Sequence, residues 1–429
     1  MKSGGYAMDQ QSLFTAALGL QFPWKVVDVK FSKEARRIDF DVAFESGARF
    51  PCPSCGAEAQ AVHDSIVRQW RHLNFFQYEA YIHARVPRTR CGQCGKVRQV
   101  QVPWSRPQAG FTQLMEALII ILCKAMPVAQ VADLLNVGDN RLWGVLDYYI
   151  PVAREQEDFS SVTNVGLDET SCRRGHNYIS LFHDMDERRV LFATEGRKAE
   201  VVERFADDLE AHGGCAENIQ NVCIDMSTSF IAGVEATLPW AQITFDEFHI
   251  IQMANKVIDE VRRQEVNTEP LLRKSRWGFL KDQSNWTQKQ SQQMQTLAKM
   301  RLKTTKSWQL RESLREIFHV AFSKAEAEPL LQRWYSWARR CRVPQMKEFA
   351  LTIKRHWDGI LNSFDSKLTN GRVEGINSMI QAAKARARGY RTTKNLILIT
   401  YLIAGKLVHL PTSPFKPDTT SCGRATALG

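Results

Sequence analysis

The sequence predicts a multidomain α/β protein: a mixed five-stranded sheet, interrupted by an all-α insertion and preceded by a small cysteine-bearing module and a helix-turn-helix domain. Three observations carry this prediction. Two Cys-x-x-Cys-Gly pairs, Cys52/Cys55 and Cys91/Cys94, lie toward the N-terminal side. Residues 128–149 carry two helical apolar stripes separated by a glycine. From residue 162 short apolar runs ending in aspartate replace the helical period, and strand alternation disappears again over 247–365.

Composition narrows the class. The 429 residues suit two to four domains, and 44% hydrophobic content with 24 Gly and 15 Pro excludes a disordered or collagen-like chain. The formal net charge is +11, unevenly spread. Residues 61–106 hold 8 Lys/Arg and 2 Asp/Glu, residues 247–365 hold 22 and 13, and residues 367–410 hold 8 and 1, whereas residues 160–246 hold 7 and 15. Basic modules around an acidic centre fit phosphate-gripping surfaces around a cluster of carboxylates that attracts cations; the competing reading is a set of solvated faces that merely differ in charge. The longest strongly apolar run, residues 117–123, is far shorter than the ~20 residues that cross a bilayer. The N-terminus lacks an apolar core with a small-residue cleavage site, so a cytoplasmic location is expected.

An N-terminal segment is drawn over 1–48 and a metal module over 49–106. Two residues between thiolates let a tight turn aim both sulfurs at one tetrahedral ion, and the glycine after each pair frees the backbone to close it. Cys52, Cys55, Cys91 and Cys94 therefore read as a closed, structural Zn²⁺ site. The 35 residues between the pairs exceed the roughly 15–20 of a simple ribbon, but their apolar spacing is strand-forming. His63, His72 and His83 lie in that gap and are read as surface or packing residues; Cys123 and Cys223 are read as core residues.

The helix-turn-helix domain is drawn over 107–158. A buried helix from Phe111 to Met126 stops at Pro127. Val128, Val131, Leu134 and Leu135 then form one face, Gly138 permits the turn, Asp139 caps, and Leu142, Val145, Leu146 and Tyr149 form the next face. In a DNA-binding pair the second helix would present Asn140, Arg141 and Trp143 or Gly144 to the major groove; helix pairs of this pattern also occur without DNA.

The core is drawn over 159–250 and 366–410. Strands are expected at Val162–Asp168, Tyr178–Asp184 and Val190–Glu195, a helix from Lys198 to His212, then strands Asn221–Asp225 and Ala241–Asp246, each followed by a helix. This is the element order of the ribonuclease-H-like fold. Asp168, Asp225 and Asp246 are each expected at a strand's carboxyl end, where clustering costs repulsion unless cations intervene. Two Mg²⁺ or Mn²⁺ ions are the usual solution for in-line phosphoryl transfer. A strand-ending aspartate also serves as a turn-former or cap, which explains one such residue more easily than three. Glu374 is the only acid between 367 and 410; on a helix it shares a face with Asn377, Ser378 and Gln381, and Lys384, Arg386, Arg388, Arg391 and Lys394 continue the segment as candidate DNA contacts. One carboxylate among eight basic residues suits a metal ligand pressed against DNA.

With these residues in view, the chain resembles the bacterial insertion-sequence transposases of the ISL-three type, of the Asp-Asp-Glu class. The likeness covers nearly all of residues 50–405 and rests on the two cysteine knuckles, the helix-turn-helix, Gly166-Leu167-Asp168-Glu169, Asp225-Met226-Ser227, Asp246-x-Phe248-His249 and Thr369-Asn370-Gly371-Arg372-x-Glu374-Gly375-x-Asn377. The resemblance makes Asp168, Asp225 and Glu374 the catalytic, metal-holding acids, separated by 57 and 149 residues. Asp246 and His249 would orient a ligand or water from behind, or His249 would touch the scissile phosphate; Asn377 would play a similar supporting part. Residues 251–365 would be the all-α insertion, its six tryptophans either stacking on flanking bases or holding a bundle together. Arg276, Lys281 and Arg372 are further DNA-contact candidates, and residues 411–429 a flexible tail. The implied activity is binding of terminal inverted repeats, cleavage at the element ends and joining to target DNA, by a homodimer or higher homo-oligomer. The rivals are a non-catalytic DNA-binding regulator descended from such an enzyme, and a ribonuclease-H-like nuclease that cuts without joining.

Overall fold

The computed structural model describes residues 9–172, 178–368 and 371–415, with the side chains of 371–374 outside the described set. The chain divides into two compact units at Leu146/Asp147.

In the first unit, α1 (Gln10–Ala17) precedes β1 (Trp24–Ser32), β2 (Arg37–Phe44), β3 (Val62–Phe75), β4 (Tyr78–Arg90) and β5 (Val97–Gln99). These strands make one sheet in the order β1-β2-β4-β3, with β5 added to β4. The 35-residue gap between cysteine pairs is thus a long antiparallel hairpin, β3–β4, which returns the second knuckle to the first. β2 pairs in parallel with β4, so residues 24–44, drawn outside the metal module, join the sheet that carries the knuckles. The reason is burial. Ile38, Phe40 and Val42 alternate inward, and Trp24, Trp70 and Trp104 interlock edge-to-face, with ring centroids 5.0 and 5.5 Å apart.

Then come α2 (Gln113–Ala125), capped by Thr112, α3 (Val128–Leu135) and α4 (Asp139–Arg154). The turn differs from expectation. Asn136, at φ +52°, is the left-handed residue that ends α3, whereas Gly138 has no positive φ and a Cβ there would meet nothing. The helix also runs on through Pro151. Val131, Leu142, Val145 and Leu146 are buried as the two stripes require.

The second unit contains β6 (Asn164–Ser171), β7 (Tyr178–Asp184), β8 (Arg189–Glu195), α5 (Glu200–Ala211), β9 (Asn221–Ile224), α6 (Thr228–Thr237) and β10 (Gln242–Phe245). Its sheet has the order β10-β9-β6-β7-β8, with β6, β7 and β8 antiparallel and β9 and β10 parallel to β6. One face is apolar, and Phe182 stacks on Phe205 of α5 at 4.3 Å.

From Glu247 to Ser366 every described element is helical: α7 (Glu247–Glu265), α8 (Arg276–Leu280), α9 (Gln288–Ala298), α10 (Lys303–Val320), α11 (Lys324–Arg340), α12 (Pro344–Arg355) and α13 (Trp357–Ser366), with two short 3₁₀ turns. These helices extend the sheet's own core through Ile250, Leu310, Trp334 and Ile360. α13 comes so near β10 that a Cβ on Gly359 would lie 2.4 Å from the Phe245 ring. Trp334 is buried and donates from Nε1 to the Leu310 carbonyl at 2.8 Å; Trp286 and Trp308 pack on each other; only Trp277, of these, faces solvent by more than half. Packing between helices thus accounts for most of the tryptophans in this stretch. α14 (Gly371–Arg386) and α15 (Thr393–Ala404) close the unit. Among the described residues no helix is long and apolar enough to cross a membrane. The tail drawn over 411–429 lies outside the described residues beyond 415.

Candidate active site and metal module

Strand register brings the three aspartates together. Gly166 of β6 pairs with Cys223 of β9, which pairs with Thr244 of β10. Two residues further along each parallel strand stand Asp168, Asp225 and Asp246, on the same sheet face because side chains return to a face every second residue. Neighbouring strands lie about 4.8 Å apart, so the acids form a row across the sheet. Asp225 and Asp246 directly follow their strands, but Asp168 does not end β6, as expected from sequence; the strand continues to Ser171 because β7 supplies ladder partners beyond the point where β9 stops.

Backbone amides hold each carboxylate. Asp168 Oδ1 accepts from Glu169 N at 2.7 Å, Asp225 Oδ1 from Ser227 N at 3.0 Å, and Asp246 Oδ1 from Phe248 N at 3.3 Å as the cap of α7. Burial pushes the Asp168 carboxyl above its ordinary value and Asp225 adds to this by repulsion; the Glu169 amide, His249 and Asn377 pull the other way. Glu169 is raised as well, by burial and then by Asp225 and Asp168. His249, half-buried in the first turn of α7, is therefore close enough to Asp168 to act on it.

α14 docks on β6 through a polar ladder. Asn377 Nδ2 donates to Asp168 Oδ2, Gln381 Nε2 to Thr170 Oγ1, and Lys384 Nζ to the Ser171 carbonyl and, at 3.2 Å, to Ser171 Oγ. Positions 377, 381 and 384 are one helix stripe, and Glu374 sits one turn earlier on it. The side chains of Glu374 and Arg372 lie outside the described residues. The ladder's partners on β6, Thr170 and Ser171, escape a sequence reading, which has no way to see which strand a helix stripe meets. Lys384, one of the candidate DNA contacts, is half-buried and engaged with Ser171 here.

The other basic candidates are distributed. Asn140 and Gly144 are exposed and Trp143 is half-buried; Arg141 donates to the Gly110 carbonyl at 3.1 Å and lies 4.0 Å over the Phe111 ring. Arg276 pairs with Asp259 at 3.4 Å, Lys281 is exposed, and Lys394 pairs with Asp147 at 2.5 Å. Arg386, Arg388 and Arg391 are exposed.

In the first unit the four sulfurs of Cys52, Cys55, Cys91 and Cys94 lie within 4.8 Å of one another. Cys52 and Cys94 Sγ are 3.8 Å apart, Cys55 and Cys91 Sγ 3.6 Å. A zinc–sulfur bond of about 2.3 Å gives a tetrahedron with edges of about 3.8 Å, so the thiolates already stand close to its vertices. The knuckles repeat the same wiring. Gly56 N donates to the Cys52 carbonyl and Gly95 N to the Cys91 carbonyl, with both glycines at positive φ, +71° and +67°. The Ser54 amide donates to Cys52 Sγ and pulls that thiol down to about 6, toward the thiolate a metal requires. Among the described residues, which do not include the Glu374 side chain, no other three His, Cys, Asp or Glu ligand atoms all lie within 4.8 Å of one another. His72 meets Thr112 Oγ1 and His83 pairs with Asp39, which places both in packing roles. Cys123 and Cys223 are buried, as read.

Comparison with known proteins matches three successive stretches of the chain. Residues 48–94 match the model described as zinc-finger of transposase IS204/IS1001/IS1096/IS1165, residues 100–150 the helix-turn-helix domain of transposase family ISL3, and residues 165–400 the transposase domain of that family. The chain is 28% identical to the transposase for insertion sequence element IS1557 of Mycobacterium tuberculosis, over 94% of its own length and 97% of the relative's. It is 29% identical to the transposase for insertion sequence element IS1001 of Bordetella parapertussis, over 81% and 87%. With the transposase model alone spanning more than half of the sequence, and the knuckles, helix pair and acid-bearing sheet in the same order, the chain belongs to the ISL3 family of transposases.

Proposed function

We propose that this protein binds the terminal inverted repeats of its insertion sequence, cleaves the element ends and joins them to target DNA, with Asp168, Asp225 and Glu374 as the catalytic acids on a ribonuclease-H-like sheet. The observation that carries this reading is the row of Asp168, Asp225 and Asp246 set by strand register, with the Glu374 helix tied to Asp168 through Asn377. The donor set fits divalent cations: a carboxylate raised by burial, and further by the Asp225 charge beside it, is in deficit of positive charge. Asp168, Asp225 and Glu374 would hold two Mg²⁺ or Mn²⁺ ions, which when bound supply charge neutralisation and an activated water or 3′-hydroxyl.

The chain's own groups do the rest. Asn377 and the Glu169 amide orient the two oxygens of Asp168. Asp246 supports α7 as its cap and so sets where His249 stands beside Asp168. Asn140, Arg141 and Trp143 would read the ends, and Arg276, Lys281, Arg372, Arg386, Arg388, Arg391 and Lys394 would hold strands, with two or more protomers pairing two ends. A cytoplasmic protein bound to the chromosome fits this activity. Incubating repeat-end duplex with Mg²⁺ tests it: wild type should nick at the element end and Asp225→Asn should not, whereas equal inactivity of both would favour a DNA-binding regulator.

A further inference from the structure

A groove of about 350 Å³ opens in the first unit between the first cysteine knuckle and the segment that follows β5. Its floor is apolar, formed by the buried Trp70, Val100 and Val102. Its rim carries Arg68, Arg98 and Arg106, and among the described residues no Asp or Glu lines it. Arg106 is already neutralised, its Nε 3.0 Å from both oxygens of the fully buried Glu116. The other two guanidiniums are not matched in this way: Arg98 stands exposed on β5, and Arg68 reaches only the Ala109 carbonyl, at 3.5 Å, while lying 5.7 Å over Trp70.

The groove is continuous with the helix-turn-helix. Gln108 lines it, and two residues on the Gly110 carbonyl accepts from Arg141 in the first turn of α4. The opposite wall is Pro53 and Ser54, inside the first knuckle, so the metal module shapes the groove as well as the sheet. Two unmatched cations over an apolar floor, with no acid opposite, fit a phosphodiester strand: phosphates take the guanidiniums and the sugar edge rests on the floor.

We propose that this groove seats the backbone of the same duplex that α4 reads, with Arg68 and Arg98 each contacting one phosphate. The inference rests on the reading of the chain as a DNA-binding transposase and names where the zinc module touches that DNA. Phosphate contacts act on any sequence and release counterions, so each one steepens the fall of affinity with salt by about 0.9 in a log–log plot.

The test uses the full-length, zinc-loaded protein, a repeat-end duplex, an unrelated duplex of equal length, and binding measured by fluorescence anisotropy from 50 to 200 mM salt. The double variant Arg68→Ala/Arg98→Ala should show a slope shallower by about 1.8, so that the wild-type advantage shrinks about twelvefold across that range on both duplexes. Arg85→Ala, exposed on the opposite face of the same sheet, should keep the wild-type slope. Zinc content and melting temperature report folding, and Arg68→Gln/Arg98→Gln gives the same reading if the alanine pair unfolds. A wild-type slope and affinity in both double variants would overturn the seat while leaving DNA binding intact. Wild-type protein that binds the two duplexes equally, with the slope still lost in the variants, would support the seat and sink end recognition; binding to neither duplex would overturn both.

Discussion

Asn377→Ala removes the rung that ties the Glu374 helix to Asp168. In the structure Asn377 Nδ2 donates to Asp168 Oδ2, and the two rungs beyond it, Gln381 to Thr170 and Lys384 to Ser171, complete the docking of α14 on β6. A hydrogen bond to a charged group contributes about 1.5–3 kcal/mol, and here its loss also leaves a buried carboxylate oxygen without a donor. Charged to the docking of α14 alone, this shifts the ratio of docked to undocked helix by about tenfold to somewhat over a hundredfold. Hydrogen exchange of residues 371–386 in the zinc-loaded protein without Mg²⁺ reads that ratio directly and needs no activity. Exchange should accelerate by a factor in this range, cleavage rate should fall with little change in KM for DNA, and Asn377→Asp should be worse because it sets a second carboxylate against Asp168. Unchanged exchange over 371–386 in Asn377→Ala would refute the ladder as the device that holds the helix.

Three further outcomes follow from particular atoms. Cys94→Ser, or stripping the wild type with a chelator, should abolish zinc binding and lower the melting temperature of the first unit, because apparent binding of about 10–16 kcal/mol is folding energy in small zinc modules; metal-free protein with wild-type melting would contradict the site. Gly359→Ala should destabilise the second unit by about 1–3 kcal/mol in denaturant titration, since its Cβ would stand 2.4 Å from the Phe245 ring and α13 must move off β10. His183 is fully buried on β7, neither ring nitrogen has a partner, and burial pulls its pKa down to about 3 from 6.5. The unfolded chain takes up this proton first, so stability falls as pH drops from 6.5 toward 3; His183→Leu removes both that loss and two unpaired buried nitrogens, and should raise the melting temperature at pH 7 and flatten its decline on the acid side.

Much of this architecture is legible in the sequence because it is written in local spacing. The strand over Tyr178–Asp184 has its expected bounds, the paired glycines after Cys55 and Cys94 adopt the positive φ their position requires, and the stripe 374-377-381 lies on one helix. What escaped is pairing between distant segments. Nothing local to Ile38, Phe40 and Val42 says that β2 lies beside β4. Gly138 reads as the turn of the helix pair because glycine is the usual left-handed residue, yet Asn136 takes that conformation, as asparagine does more readily than most. Asp168 looks like a strand end because the apolar run before it stops at Leu167; only the longer β6–β7 ladder keeps it interior. Lys384 reads as a DNA contact among other basic residues, and only the third dimension shows Ser171 within its reach.

The central claim is that Asp168, Asp225 and Glu374 form one phosphoryl-transfer site. Strand transfer with pre-cut repeat ends, a supercoiled target and Mg²⁺ tests it most directly, because it isolates joining from end cleavage. Wild type should give joined product, and Asp168→Asn, Asp225→Asn and Glu374→Gln should each give none while binding the ends as tightly as wild type. Joined product from any of the three variants at the wild-type rate, or none from a wild type that cuts, would contradict the account.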